Sequence, residues 1–353
     1  MRLLLFNLAT DADDPVLGFT THWIHELARQ TEYIDVLTMR SGRIAVPANV
    51  CVYSVGKEKG YNEPLRVIEF YRILWSLLKH RQYDGCFAHM IPVFAVMAAP
   101  LLKFKRVPIV LWYTHKSVTW ILRIATCLVD KIVTASPESF RIPSSKVRVI
   151  GHGIDTNKFV PNEYAELQQR PFTILTVGRL SLSKRVDRLL EAVKLFRQKH
   201  LDIAIGVNIV GGPATEEDLK YVAQLQDQVM QSSLSEIVKF LGNIPFQQVV
   251  PWYQQADCFV SLSDTGSLDK TVLEAMSCGI PVIAPPTYAG ILGKELASNV
   301  ISAPEPNAVC ERICFFACMS PAERKTFGRR LRNIVIREHA LATIGSRILR
   351  EFQ

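Results

Sequence analysis

A chain of 353 residues, 48% of them hydrophobic, has enough apolar content for two packed cores, which excludes a disordered protein and favours two domains. Its eight cysteines form no Cys-x-x-Cys pair, and a chain of this size needs no staples, so a disulfide-built fold is excluded and a reducing, cytoplasmic compartment is expected. The formal charge of +8 is uneven: residues 1–150 hold 19 Lys and Arg against 12 Asp and Glu, and the remainder holds 22 against 21. No recognised binding module surrounds the basic residues, so nucleic acid is not an expected partner.

The run from Met1 to Ala9 reads as a first buried strand, because it is short for a signal sequence and leads directly into Asp11, Asp13 and Asp14. Strand-like runs follow at 34–38, 51–55, 85–89, 109–113 and 131–134, with amphipathic stretches such as 20–29 and 65–80 between them. This alternation predicts a parallel sheet wrapped by helices. Ile91 to Leu102 is the longest apolar stretch, far shorter than the roughly 20 residues that cross a bilayer. Lys103, Lys105 and Arg106 come directly after it, an order that suits docking on anionic lipid headgroups.

The glycines and proline of 147–161 mark a joint between domains. Gly151-His152-Gly153 is no dinucleotide fingerprint, because Thr156 stands where that motif needs a third small residue. A second α/β series is expected at 172–177, 207–210, 238–241, 258–262, 281–284 and 299–302. Cys310, Cys314 and Cys318 recur every four residues without a histidine or a fourth cysteine at ligand spacing, so they read as the packed face of a helix. Ala322 to Phe352 reads as helices, with Arg329, Arg330, Arg332 and Arg337 on wet faces.

The most informative segment is 264–284, which reads as loop, helix, glycine stop and buried strand. A helix over 269–278 starts at the carboxyl end of the 258–262 strand, where open α/β sheets bind ligands. Gly266 and Ser267 can offer backbone N–H groups to an anion at that helix N-terminus. Lys270 and Glu274 fall on one helical face, while Leu273 and Met276 turn toward the sheet. Taken alone, the Lys270 and Glu274 pair could equally be an ordinary surface ion pair.

Several motifs then fall in order. Gly178-Arg179-Leu180-Ser181-Leu182-Ser183-Lys184 follows a strand, Gly211-Gly212-Pro213 follows the next, and Leu273-Glu274-Ala275-Met276-Ser277-Cys278-Gly279-Ile280-Pro281-Val282 closes the series. In this order and spacing the chain resembles the retaining glycosyltransferases of family 4 over nearly its whole length. The resemblance implies an α/β GT-B fold, with two Rossmann-like parallel-sheet domains facing across a cleft. It implies an acceptor-binding domain over 1–152, a donor-binding domain over 153–335 and a C-terminal helix over 336–353 returning to the first domain.

The resemblance also implies roles. A nucleotide-sugar donor leaves a diphosphate behind, and in a metal-free site Arg179 and Lys184 would neutralise the growing charge. Gly178, Gly211, Gly266, Ser267, Leu268 and Lys270 would line the donor, and Glu274 would accept the ribose hydroxyls. His115 would face the donor sugar, with Gly18 and His89 on the acceptor side. The acceptor is expected to be a glycan or a lipid-linked molecule, and no cofactor or metal is expected.

The chain departs from the family where Gly266 occupies the place of the motif's first glutamate, which contacts the transferred sugar. Asp264 and Asp269 are the candidate substitutes, and Asp269 is the better placed. Asp11-Ala12-Asp13 has the form of a metal-binding pair of another glycosyltransferase fold but lies in the first strand's loop, where a solvated or acceptor-facing role is expected. Two other readings stay open: a sugar-nucleotide 2-epimerase of the same fold, and a catalytically silent nucleotide-binding partner.

Overall fold

The computed structural model describes residues 1–14, 17–162, 170–296, 298 and 304–353. They divide into two compact units, Met1–Asp155 with Glu338–Gln353, and Thr156–Arg337.

The first unit runs β1 (Arg2–Asn7), α1 (Phe19–Ala28), β2 (Tyr33–Thr38), β3 (Val50–Ser54), α2 (Glu63–His80), β4 (Gly85–His89), α3 (Pro92–Phe104), β5 (Ile109–Trp112), α4 (Trp120–Leu128), β6 (Lys131–Thr134) and β7 (Val147–Val149). Among the described residues the strands form one seven-stranded parallel sheet in the order β3-β2-β1-β4-β5-β6-β7. Leu3 to Phe6 are at most 2% exposed, as expected of a central strand covered on both faces. Leu4, Phe6, Cys86, Ala88, Ile109 and Leu111 pack with α2, α3 and α4 in one core. On the other face, the Trp23 ring of α1 stacks on Phe87 at 6.4 Å.

The second unit runs β8 (Phe172–Val177), α5 (Val186–Lys199), β9 (Ile205–Val210), α6 (Glu216–Gln231), β10 (Val238–Gly242), α7 (Val250–Gln254), β11 (Cys258–Val260), α8 (Lys270–Ser277), β12 (Val282–Ile283), α9 (Ala289–Leu296), α10 (Pro306–Cys318) and α11 (Pro321–Glu338). Its sheet is parallel in the order β10-β9-β8-β11-β12. The strand expected at 299–302 lies outside the described residues. Both sheets reverse their winding once, between β1 and β4 in the first and between β8 and β11 in the second. A crevice at the carboxyl ends of those strand pairs is the geometric consequence of such a reversal.

The chain returns to the first unit as α12 (Leu341–Arg350), which packs on α1, with Ser346 Oγ donating to Gln30 at 2.8 Å. The crossings between units fall at Asp155/Thr156 and Arg337/Glu338, two to three residues beyond the expected boundaries. The cause is a bridge between Ile154 and Ala340: Ile154 N–H donates to His339 O and Leu341 N–H to Ile154 O, both at 2.8 Å.

One sequence expectation is overturned and two are refined. Arg332 is not on a wet face: its guanidinium donates to the carbonyls of Ser277, Phe159 at 2.8 Å and Thr156 at 3.1 Å. These carbonyls lie at or near the C-terminus of α8, where a cation is favoured. Cys310 is buried and Cys314 is half-buried against the same core, as the packed face expected, while Cys318 at its end is exposed. Asp13 pairs with Arg43 at 2.6 Å, and Asp11 accepts from the Arg43 N–H at 3.0 Å, so these two carboxylates brace a loop. Among the described residues, no group of three or more His, Cys, Asp or Glu could hold a metal ion.

Candidate functional site

The loops that leave β8 and β11 carry most of the expected donor residues, at the point where the second sheet reverses. Gly178 N–H bonds to Val210 O at 2.9 Å, and Gly211 N–H to Gly242 O at 2.8 Å, drawing the ends of three neighbouring strands together. The approach is close enough that a Cβ at Gly211 would lie 1.9 Å from Gly178 O, and Gly211 has φ +127°. No side chain fits there.

After Gly178 the chain turns back over itself, and Asp264 N–H donates to Ser183 O at 3.0 Å, tying the two switch-point loops. Arg185 pairs with Asp264 at 3.1 Å across the same gap. Lys184 runs beside Gly178, where a Cβ would be 3.4 Å from its Nζ, and ends in an ion pair with Asp269.

Asp269 therefore carries two loads in this state. It is the N-cap of α8, accepting from Thr271 Oγ1 at 2.9 Å and Thr271 N–H at 3.4 Å, and it is the counter-ion of Lys184. Burial pushes its carboxyl up, but Lys184 and Thr271 outweigh that and hold it below the usual carboxylate range. The Tyr288 hydroxyl donates to the Asp269 carbonyl. An anionic cap already sits on the donors of this helix start, so the bare N-terminus expected from Gly266 and Ser267 is not what the fold presents. Gly266 instead makes a left-handed turn at φ +69°, Ser267 Oγ lies 3.4 Å from Thr265 Oγ1, and the Leu268 side chain is buried.

Lys270 and Glu274 do point together, Nζ to Oε1 at 3.5 Å, but the surface-pair reading fails because Glu274 is only 4% exposed. Tyr253 of α7 donates to the other oxygen at 3.0 Å. Burial raises the Glu274 carboxyl above its usual range, with Lys270 and Tyr253 opposing it in part. The Lys270 ammonium also lies 4.8 Å from the Phe246 ring centre. Arg179 is the open cation: its side chain is 55% exposed and its Nε is 3.8 Å from Asp218. Asp218 is itself committed to the capping box of α6 with Thr215.

Gly178, Gly211, Lys184, Asp269, Lys270 and Glu274 thus form one contiguous set in the second unit. Gly18, His89 and His115 belong to the first unit. Gly18 lies on the loop after β1 and His89 is the last residue of β4, at that sheet's own reversal. The Gly18 N–H is not open to a ligand as expected; it bonds to Asp14 O at 3.0 Å, and a Cβ would lie 2.6 Å from the same oxygen. The glycine is there for loop closure. His89 is 5% exposed and packed among aromatic rings, 4.9 Å from Trp23 and 6.4 Å from Trp112. His115 is exposed after β5, its Nδ1 accepting from Ser117 N–H at 3.1 Å.

Tyr253, Asp218 and Tyr288 were not singled out in the sequence. They reach the site from other elements, 21 residues from Glu274 in the case of Tyr253. No local spacing signals such a contact.

Residues 162–308 match the family described as glycosyl transferases group 1. The matched residues fall within the second unit. Among curated relatives, the chain is 24% identical over 168 residues to a mannosylfructose-phosphate synthase of Agrobacterium fabrum, covering 44% of this chain and 37% of that protein. It is 26% identical over 224 residues to the lipopolysaccharide core biosynthesis mannosyltransferase LpcC of Rhizobium leguminosarum, covering 59% and 61%. The match spans about two fifths of the length of the first such relatives.

Among solved structures, Anabaena HepE in complex with UDP superposes with a TM-score of 0.77 at 18% identity, covering 99% of each chain. The sucrose-phosphate synthase of Thermosynechococcus elongatus gives 0.78 at 16% identity, covering 100% and 98%. These likenesses show the fold, which is GT-B, built from two Rossmann-like domains.

Proposed function

We propose that the chain is a retaining, metal-independent glycosyltransferase that moves a sugar from a nucleoside diphosphate sugar to a glycan or lipid-linked acceptor. The observation that carries this reading is the gathering of Gly178, Gly211, Lys184, Asp269 and Glu274 where the second sheet reverses. In support, HepE structures include one with UDP and one with UDP-glucose, which makes UDP the first nucleotide to test and GDP the second.

The chemistry follows from the residues. Lys184 exchanges Asp269 for the diphosphate, and Arg179, exposed at the loop start, closes on the same charge. These fixed cations stabilise the leaving group as the glycosidic bond breaks, so charge stabilisation carries most of the work. Glu274 takes the ribose hydroxyls. Asp269, released from Lys184 and set beside Ser261, is the carboxylate for the sugar hydroxyls that the absent first glutamate would have held. His115 serves the sugar, and Gly18 and His89 shape the acceptor side. Retention follows from acceptor attack on the face the diphosphate leaves, the diphosphate accepting the acceptor's proton.

Titration calorimetry of the full chain with UDP and GDP tests the site. Arg179→Ala, Lys184→Ala and Glu274→Ala are each expected to weaken the preferred nucleotide tenfold or more, the loss of one charge-assisted bond of ~1.5–3 kcal/mol. Unchanged affinity in all three defeats the assignment. Turnover of donor with EDTA present, read as glycosylated product, is expected to equal turnover without it.

A further inference from the structure

The outer surface of α2 and α3 is apolar where a solvated helix layer would be polar. Ile68, Trp75 and Phe104 are 63%, 62% and 82% exposed. Ile68, Tyr71 and Trp75 recur at helical spacing along one face of α2. Met97, Pro100, Leu101 and Phe104 do the same on α3.

The two rows meet. Tyr71 donates to Met97 O at 3.1 Å, and Tyr71, Trp75, Met97, Pro100 and Leu101 line an open groove of about 600 Å³ together with Arg72. Core packing does not account for them, because the buried faces of the same helices are built from other residues, Phe70, Ile73, Leu74 and Leu77 on α2 and Phe94, Ala95, Ala98, Ala99 and Leu102 on α3.

Charge decides what covers this face. Lys103, Lys105 and Arg106 surround Phe104, all exposed, and no ion pair is formed by them among the described residues. Lys79 continues the Trp75 row one turn on. The nearby Glu69 is neutralised by Arg72 and Glu63 by Arg66, so the rim is net positive. A Trp and a Phe standing out of a surface ringed by unpaired cations match the apolar boundary and anionic headgroups of a lipid leaflet. A protein partner of that chemistry would need an acidic rim around an apolar pocket, and the net charge of +8 opposes a second copy of this chain in that place.

We infer that the α2 and α3 face of the first unit docks on an anionic membrane surface, with Trp75, Ile68 and Phe104 in the headgroup boundary and Lys103, Lys105 and Arg106 on the headgroups. The inference rests on the first unit alone and stands apart from the proposed transfer reaction. No helix among the described residues is long and apolar enough to cross a membrane, so this is attachment along a face.

Co-sedimentation of the full chain with vesicles of phosphatidylcholine, and of phosphatidylcholine mixed with phosphatidylglycerol, tests it. The wild type is expected to sediment with the mixed vesicles and to stay in solution with the neutral ones. Neutralising the basic trio with Lys103→Gln, Lys105→Gln and Arg106→Gln is expected to lower partitioning by roughly fivefold per residue. Trp75→Ser with Phe104→Ser is expected to lower it at least tenfold, whereas Trp75→Phe keeps it. All these side chains are exposed, so an unchanged melting temperature confirms folding. Brominated acyl chains are expected to quench emission in the wild type and less so in Trp75→Phe. Absence of sedimentation, or equal sedimentation by the basic or apolar variants, overturns the inference. So does a concentration-dependent dimer that Trp75→Ser abolishes, which would make a second copy the occupant.

Discussion

Glu274 is the residue whose meaning changed most between sequence and structure. Its helical partner Lys270 is where the spacing puts it, but burial to 4% exposure turns a surface pair into a carboxylate held at a cost. An acid whose folded pKa is raised is ionised first in the unfolded chain. Its contribution to stability therefore falls as pH rises from the ordinary glutamate range through the raised value. Glu274→Gln removes that loss, so its melting temperature relative to wild type is expected to be more favourable at pH 7 than at pH 4. Thermal melts of both proteins at the two pH values check this. The same variant should bind nucleotide more weakly, the stability gained and the function lost residing in one side chain. Glu274, Arg179 and Lys184 could be chosen as candidates from the sequence because each lies in a short motif whose order carries information. Tyr253 was not, because its hydroxyl reaches Glu274 from another helix.

At the scale of elements, α8 shows how a helix is fixed at both ends by partners from other segments. Asp269 caps its start and draws in Lys184 from 85 residues away, while Arg332 closes its end from 55 residues away. Arg332→Ala is expected to destabilise the protein by at least ~2 kcal/mol, since one or more charge-assisted bonds to buried carbonyls of ~1.5–3 kcal/mol each are lost. Arg332→Lys should recover only part of this, because an ammonium does not reproduce the guanidinium fork. Denaturant midpoints of the three proteins, compared at constant slope, measure both effects. The strands themselves were readable: the expected runs at 85–89, 131–134 and 172–177 match β4, β6 and β8. The arginine was not, because helical periodicity reports which side chains could be wet and says nothing of a neighbouring helix end that needs a cation.

At the scale of the whole molecule, the returning chain is locked to the first unit around a buried histidine. His339 is 3% exposed, and its Nδ1 accepts from the His152 N–H at 3.0 Å, an interaction that requires a neutral ring nitrogen. Burial pushes its pKa down to about 4, with Glu338 opposing and Arg347 adding to the shift. A base with a lowered folded pKa is protonated first in the unfolded chain, so stability falls as pH drops from about 6.5 toward 4. The full effect is on the order of 3 kcal/mol. His339→Gln is expected to flatten this part of the stability profile, read by denaturant melts between pH 7 and pH 4.

What the sequence determined by itself was local: alternating apolar runs gave the parallel sheets, glycines gave the sharp turns at Gly178 and Gly211, and ordered motifs gave the resemblance to a family. These are properties of neighbouring residues, set by backbone sterics and the period of each element. Only the tertiary structure decided that Lys184 rests on Asp269, that Glu274 is buried, that Arg332 serves α8 and that Trp75 and Phe104 share one exposed face. Each depends on which distant segments meet, and burial and pairing, which set charge and affinity, exist only after they have met.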